Sequence, residues 1–376
     1  MRSAVRAALS VQDQICLKSQ VFHGLHLCVT IVECVLYVAR VNPGPMSKLK
    51  VGVDVGENDA EPRQFLECAL LAEKEGFDSF WFGDHFMPWI HTGGKSVFVW
   101  SLLASSLERT KRIRMGPNVT CPIGGRYHPA IVAQAAATLD NMYPGRVMLG
   151  VGSGEAVNEA RFIRGRLSDW PNWRERTERL TEAVTLIREL WSRDDYFTFN
   201  GKYFPMKDVI LRTKPKTRIP IHIAAMGPKA AALAGRYGDN LTTIRSPQAC
   251  REVVFPKFNE GIRLQGKKQD EAEKMVLINM AIGDPEESIR KLKSGWAGIL
   301  VKGAYDDPDP RHIEASAATV EEKMIRENFQ VLSKVEDLIV LAKEYQEVGA
   351  DHIVLETGPY PDLIKSIARR VLPHLH

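Results

Sequence analysis

Residues 83–89 read GDHFMPW and follow the apolar run SFWF, so an acid and an imidazole stand side by side where a buried strand ends. A strand interior has no structural use for such a pair, whereas a (β/α) barrel presents residues of this kind at the C-terminal ends of its strands, facing substrate. His85 ionises near neutrality and can take a proton from a hydroxyl; the alternative is a structural histidine tied to backbone. Asp84 orients His85, contacts a cofactor, or caps the turn. Trp89 is a packed aromatic or a fixed indole N–H donor for a substrate oxygen. Glu155, in GSGEAVNE, is a second strand-end carboxylate or the cap of the next helix.

Other strand ends add to this set. Glu57 follows the first strand, Asn118–Val119–Thr120–Cys121–Pro122 the third, and Ala224–Ala225–Met226–Gly227 the fifth. In AAMGPKAAALAG, Gly227 admits a close ligand, Pro228 suits a first helical turn, and the free N–H groups behind it suit an anion. GVGSGE alone is a weak phosphate-loop signal, since glycines after a barrel strand also make tight turns. There is no HExxH, no GxSxG and no carboxylate–histidine cluster at metal spacing, so no metal site is expected. Cys121 is expected to line the pocket.

These residues need a scaffold that brings distant segments to one face. Eight apolar runs supply it: residues 50–55, 79–84, 114–120, 146–154, 219–226, 240–245, 274–282 and 352–358. Amphipathic stretches such as PRQFLECALLAEKEGF and WRERTERLTEAVTLIRELW lie between them, and YPDLIKSIARRVLPHL follows the last. Strands apolar at consecutive positions are covered on both faces. The expected fold is therefore α/β, a TIM (β/α)8 barrel. A doubly wound sheet is disfavoured because no GxGxxG precedes an acid at the required spacing. Excursions at 155–172 and 299–330 follow strands four and seven, so they are insertions on the C-terminal face.

Composition excludes several classes. The chain has 376 residues, 44% hydrophobic and 26% charged, with 50 basic and 46 acidic residues intermixed for a net charge of +4. No dense basic stripe marks a nucleic-acid binder. The six cysteines show no CxxC spacing, as expected of reduced thiols in a cytoplasmic protein. Residues 1–45 read as an N-terminal extension outside the fold, with Met46 opening a single domain over 46–376. Within the extension, residues 21–39 are long enough to span a bilayer. Glu33 would cost roughly 2.5–3.5 kcal/mol near the centre, so no membrane partner is expected unless that segment is a true anchor.

SFWFGDHFMPW, RYHPAIVAQAAATLDNMYPGRVMLGVGSGEAVNE and HIAAMGPKAAALAG together resemble the luciferase-like barrel superfamily, in its coenzyme F420-dependent branch. Within that branch the resemblance is to the F420-dependent glucose-6-phosphate dehydrogenases and secondary alcohol dehydrogenases. It implies a deazaflavin cofactor, coenzyme F420, beside Asp84 and His85, with His85 the base toward a substrate hydroxyl. Trp89 would hold the reacting oxygen, Glu155 the proton near the cofactor, and Glu57 would be a further active-site acid. Asn118–Val119 matches a non-proline cis peptide backing the ring. Gly154, Glu155, Asn158, Ala224, Ala225, Met226 and Gly227 match the cofactor's tail region. Arg245 and Lys302 are the candidate phosphate-reading residues, yet a later arginine position reads Glu327 or Asn328, so an alcohol substrate is as well supported as a sugar phosphate. An FMN-dependent monooxygenase and a non-catalytic binding barrel are the alternatives. A homodimer is expected from the resemblance alone.

Overall fold

Each of the eight apolar runs contains a strand. They are β1 (Lys50–Val55), β2 (Ser79–Phe82), β3 (Arg114–Pro117), β4 (Leu149–Val151), β5 (Ile221–Ala224), β6 (Asn240–Thr243), β7 (Lys274–Ile282) and β8 (His352–Glu356). The computed structural model describes residues 48–56, 60–163 and 167–375, so the expectations for residues 1–45 and for Glu57 lie outside the described residues. The strands are parallel in the order β3-β2-β1-β8-β7-β6-β5-β4. Bridges from Met115 to Val147 and from Thr120 to Val151 join β3 to β4 and close the ring. This is the (β/α)8 barrel that the sequence predicts.

Eight helices cover it: α1 (Pro62–Lys74), α2 (Val99–Arg109), α3 (Pro129–Met142), α4 (Trp173–Ser192), α5 (Pro228–Tyr237), α6 (Phe255–Leu264), α7 (Asp337–Glu347) and α8 (Pro361–Arg370). Their starts follow capping chemistry. Asn172 Oδ1 accepts from Glu175 N at 3.1 Å ahead of α4, and Pro129, Pro228 and Pro361 occupy first-turn positions where no amide is needed. α6 is absent from the sequence reading. It carries Pro256 and Gly261, both poor helix residues, but Gly261 lies against Gly235 of α5. A Cβ on either glycine would fall 2.1 Å from a carbonyl oxygen of the other helix, so the crossing requires glycine there.

The insertions also exceed their expected form. After β4 come a short helix at Ala156–Glu159 and a 3₁₀ turn at Leu167–Asp169. After β7 come helices Pro285–Lys293, Pro310–Ser316 and Glu322–Asn328, with strand Gln330–Leu332 pairing onto the end of β7. This second insertion has its own core of Ile289, Leu292, Ile325 and Phe329. An antiparallel hairpin, Phe197–Phe199 with Met206–Val209, precedes β5. Among the described residues no helix is long and apolar enough to cross a membrane.

Inside the barrel, Trp81, Met148, Met275 and Val354 form a dry plug. A buried polar layer adjoins it. Ser79 Oγ accepts from Trp81 Nε1 at 2.9 Å and meets His352 Nε2 at 2.8 Å. His352 Nδ1 reaches Glu273 Oε1 at 2.9 Å, and Asn240 Nδ2 donates to His222 Nε2 at 3.0 Å. Burial works against the Glu273 charge, but His352 overrides it and holds that carboxyl well below its usual range.

Burial pushes His222 down to about 4. An unfolded imidazole protonates near 6.5, so between about 6.5 and 4 the unfolded chain binds a proton that the folded chain refuses. The His222 contribution is complete above that window and falls as pH drops through it, by about 1.4 kcal/mol per pH unit at most. Unfolding temperature measured against pH should therefore decline from 6.5 toward 4, and H222N should flatten the slope.

Candidate active site

At the barrel mouth one arginine ties three strand ends together. Arg126, in the loop after β3, donates from Nη1 to Asp84 Oδ1 at 3.1 Å and from Nη2 to the Asp84 carbonyl at 2.5 Å. Its Nε and backbone N reach the two oxygens of Glu159 at 2.9 and 2.8 Å. Tyr127 Oη adds a donor to Asp84 at 3.2 Å. The Arg126, Asp84 and Glu159 side chains are 8, 0 and 0% exposed, so these are buried charges that depend on one another. Burial raises the Glu159 carboxyl, and Arg126 opposes that rise. Asn158 Oδ1 accepts from the backbone of Phe86 at 2.7 Å and of Met87 at 3.1 Å, tying the loop after β2 to the segment after β4.

On this support lies a cavity of about 430 Å³ with His85, Trp89, Asn118 and Glu155 on its wall. The His85 and Trp89 rings meet edge to face with centroids 6.4 Å apart, and Trp89 packs likewise on Tyr305 at 5.4 Å. Burial pushes the Tyr305 phenol up to about 12, so it remains a donor. Two further carboxyls line the same cavity, Asp54 at the end of β1 and Glu356 at the end of β8, side by side in the register of those strands. Asn118 Nδ2 donates to Asp54 Oδ2 at 2.8 Å and Gly56 N to Glu356 Oε1 at 3.0 Å. Burial raises Asp54 to about 6 despite its bonds to Asn118 and Glu356; burial and the Asp54 charge lift Glu356 well above the carboxylate range.

A second cavity, about 620 Å³, adjoins the first, with Glu155 and Tyr305 on both walls. Val119, Gly154, Ala224, Met226 and Gly227 line it. The Asn118–Val119 peptide is cis, as the resemblance implies, and joins a residue on one wall to a residue on the other. A Cβ on Gly152 would lie 2.7 Å from Val119 Cγ2, so glycine is what lets that valine stand where it does. At the far end Gly227 caps α5, with open space where a side chain would project. Arg176 and Lys229 stand on the same wall, and Arg176 Nε is buried without a partner among the described residues. A helix N-terminus with two cations and an unmet donor suits a phosphate-bearing tail.

The structure thus gathers His85, Trp89, Asn118, Val119, Glu155, Gly154, Ala224, Met226 and Gly227 at the two cavities. Six other expected residues stand off both cavity walls. Asp84 and Asn158 lie behind the wall and bind protein partners, so they position the site. Ala225 is buried, its N–H donating to Thr242 O at 2.9 Å, and lines neither cavity. Arg245 and Lys302 line neither; Lys291 is the basic residue on the first wall. Cys121 is likewise buried off both walls, its thiol raised by burial and by Glu155. Sequence reading missed Asp54, Glu356, Tyr305, Arg126 and Arg176. Asp54 had a usable signal, an acid inside the apolar run KVGVDV; the others are assembled only by the fold.

A barrel mouth that sets an imidazole, an indole and a carboxylate around two joined cavities is that of an enzyme. A profile for luciferase-like monooxygenases matches residues 43–352, and the chain belongs to that family. F420-dependent glucose-6-phosphate dehydrogenases from Mycobacterium avium (strain 104) and Rhodococcus erythropolis are each 36% identical to it, over 82% of this chain and 92 and 91% of theirs. Among solved structures, an F420-dependent secondary alcohol dehydrogenase in complex with an F420–acetone adduct matches with TM-score 0.81 and 36% identity, over 88% of this chain and all of that one. A coenzyme F420-dependent tetrahydromethanopterin reductase from Methanopyrus kandleri shares the fold, with TM-score 0.70 at 20% identity.

Removing Arg126 leaves two buried carboxylates facing each other. R126L should lose about 3–5 kcal/mol of stability, read as a lowered unfolding temperature of the full chain. R126K keeps the charge without the fork and should fall between R126L and the parent protein.

Proposed function

We propose that this protein is a coenzyme F420-dependent dehydrogenase that oxidises an uncharged alcohol, or reduces the matching carbonyl compound. The observation that carries this reading is the pair of joined cavities with Asn118 and Val119 at their junction, His85, Trp89 and Glu155 around it, and a cationic helix end beyond. Its 36% identity to a secondary alcohol dehydrogenase solved with an F420–acetone adduct supports it.

When bound, a deazaflavin supplies a ring carbon that exchanges hydride and does not pass single electrons. The residues that would hold it are Val119, Gly154, Ala224, Met226 and Gly227, with Arg176, Lys229 and the α5 N-terminus at its charged end. The remaining chemistry belongs to side chains. His85 takes the hydroxyl proton as the alcohol carbon is oxidised, and Trp89 donates its indole N–H to the oxygen that becomes a carbonyl. Glu155, on both walls, is placed to hold a proton where the two ligands meet. Tyr305 packs edge to face on Trp89 and holds that indole in place.

The wall favours an uncharged substrate. Asp54, Glu155 and Glu356 line the first cavity, whereas Lys291 is its basic group and already pairs with Glu287 at 2.8 Å. Leu277, Met280, Trp296 and Ile299 supply an apolar side for a carbon chain. We further infer a cytoplasmic homodimer. The described cysteines are buried free thiols, which fits a reducing compartment, and the dimer is drawn from the family resemblance.

Titrating the full chain with F420 and with FMN, followed by tryptophan fluorescence, tests the cofactor; tight FMN binding without an F420 response overturns the reading. Turnover, followed by loss of the visible absorbance of F420, should appear with secondary alcohols before glucose 6-phosphate. H85A should retain cofactor affinity while kcat falls by about 10²–10⁴; undiminished turnover removes His85 as the base.

A further inference from the structure

Asp54 and Glu356 have no part in the reaction as described so far, yet they occupy its cavity. They face each other from neighbouring strand ends, paired in the register of β1 and β8, and their carboxyls hydrogen-bond to one another. The other contacts hold oxygens that bear or share charge: the Asn118 amide on Asp54 and the Gly56 N–H on Glu356. Asp54 is buried and Glu356 partly so, and two like charges side by side there cannot both ionise.

The approach to His85 is bare. A Cβ added at Gly56 would lie 3.0 Å from Glu356 Oε1, and one at Gly83 would lie 3.4 Å from Gly56 Cα and 3.7 Å from the His85 ring. Gly56 and Gly83 thus stand between the pair and the imidazole. The charge on His85 acts on both members of the pair. Glu155, Lys291, Tyr305 and Tyr360 share the cavity wall.

We propose that Asp54 and Glu356 act as one shared negative charge beside His85, positioning residues that stabilise the imidazolium formed when His85 takes the substrate's hydroxyl proton. The proposal rests on the reading of His85 as the base and adds no bond-making step. One proton bridges the two carboxyls throughout. Their single charge strengthens the base without placing a full ion pair against the substrate. Dividing the charge over four oxygens also keeps the pair from clamping the imidazole into a fixed salt bridge.

The test uses histidine-labelled, cofactor-free full chain, with His85 followed by NMR through a pH titration and assigned by comparison with H85N. D54N and E356Q each leave one carboxyl able to carry the charge, so His85 proton affinity should stay within a factor of about 3 of the parent protein. D54N/E356Q removes the charge and should lower that affinity roughly tenfold. In turnover, the double variant should move the acidic limb of the kcat/KM profile about one pH unit lower and reduce kcat more than it changes KM. Unchanged His85 titration in the double variant overturns the proposal, as does a single substitution that lowers the affinity as far as both together. If the double variant does not fold, the single variants decide: a tenfold fall in either overturns the proposal, and affinity within the factor of about 3 in both upholds it. The titration needs no cofactor, so failure of F420 turnover in the parent protein would sink the functional reading and leave this result standing apart.

Discussion

The site depends on the placement of Arg126 between two buried carboxylates. A guanidinium presents its donors in a rigid planar fork, so it can hold two acids in fixed relation while its own charge is compensated. Here the fork joins Asp84, next to His85, to Glu159, one turn beyond Glu155. His85 and Glu155 come from loops after different strands, β2 and β4, and the arginine comes from the loop between them in sequence. Two acids against one base leave the cluster short of positive charge, and the Tyr127 hydroxyl and Arg126 backbone N–H make up part of the difference. The network favours one arrangement of the mouth because every other arrangement exposes a buried ion.

Much of the fold was legible because barrel strands covered on both faces read as uninterrupted apolar runs, as in KVGVDV and KMVLINMAI. The ends were less so. Residues 146–154 narrow to Leu149–Val151 at their C-terminal side because Ser153 and Gly154 leave the ladder to line the second cavity. α6 escaped detection because its glycine serves a helix crossing, which local sequence does not reveal. The hairpin before β5 and the strand at Gln330–Leu332 are three or four residues long and take their stability from neighbours.

The site divides along similar lines. His85, Trp89 and Glu155 were visible because a titratable or donor side chain directly after an apolar run has few structural uses. Asp84 and Asn158 carried the same signal, yet they turn back into the protein, and sequence alone does not distinguish an acid facing a ligand from one that braces the residue beside it. Arg126 and Arg176 are the reverse case: ordinary-looking arginines whose roles exist only once segments distant in sequence meet. Glu356, 302 positions from Asp54, gains its significance solely from ring closure, which makes the first and last strands neighbours.

Ring closure also separates what can vary from what cannot. Asp54 and Glu356 stand on strand ends, where a shift of one residue would turn each side chain to the opposite face, and His85 and Asn118 follow strands β2 and β3. The insertion after β7, with its separate core, supplies Lys291, Trp296, Ile299 and Phe329 to the same cavity. A substitution there reshapes the cavity without moving His85 and Trp89, which the loop after β2 supplies. The same strand-end chemistry can thus serve alcohols of different shape, with selectivity set by a wall that folds largely on its own contacts.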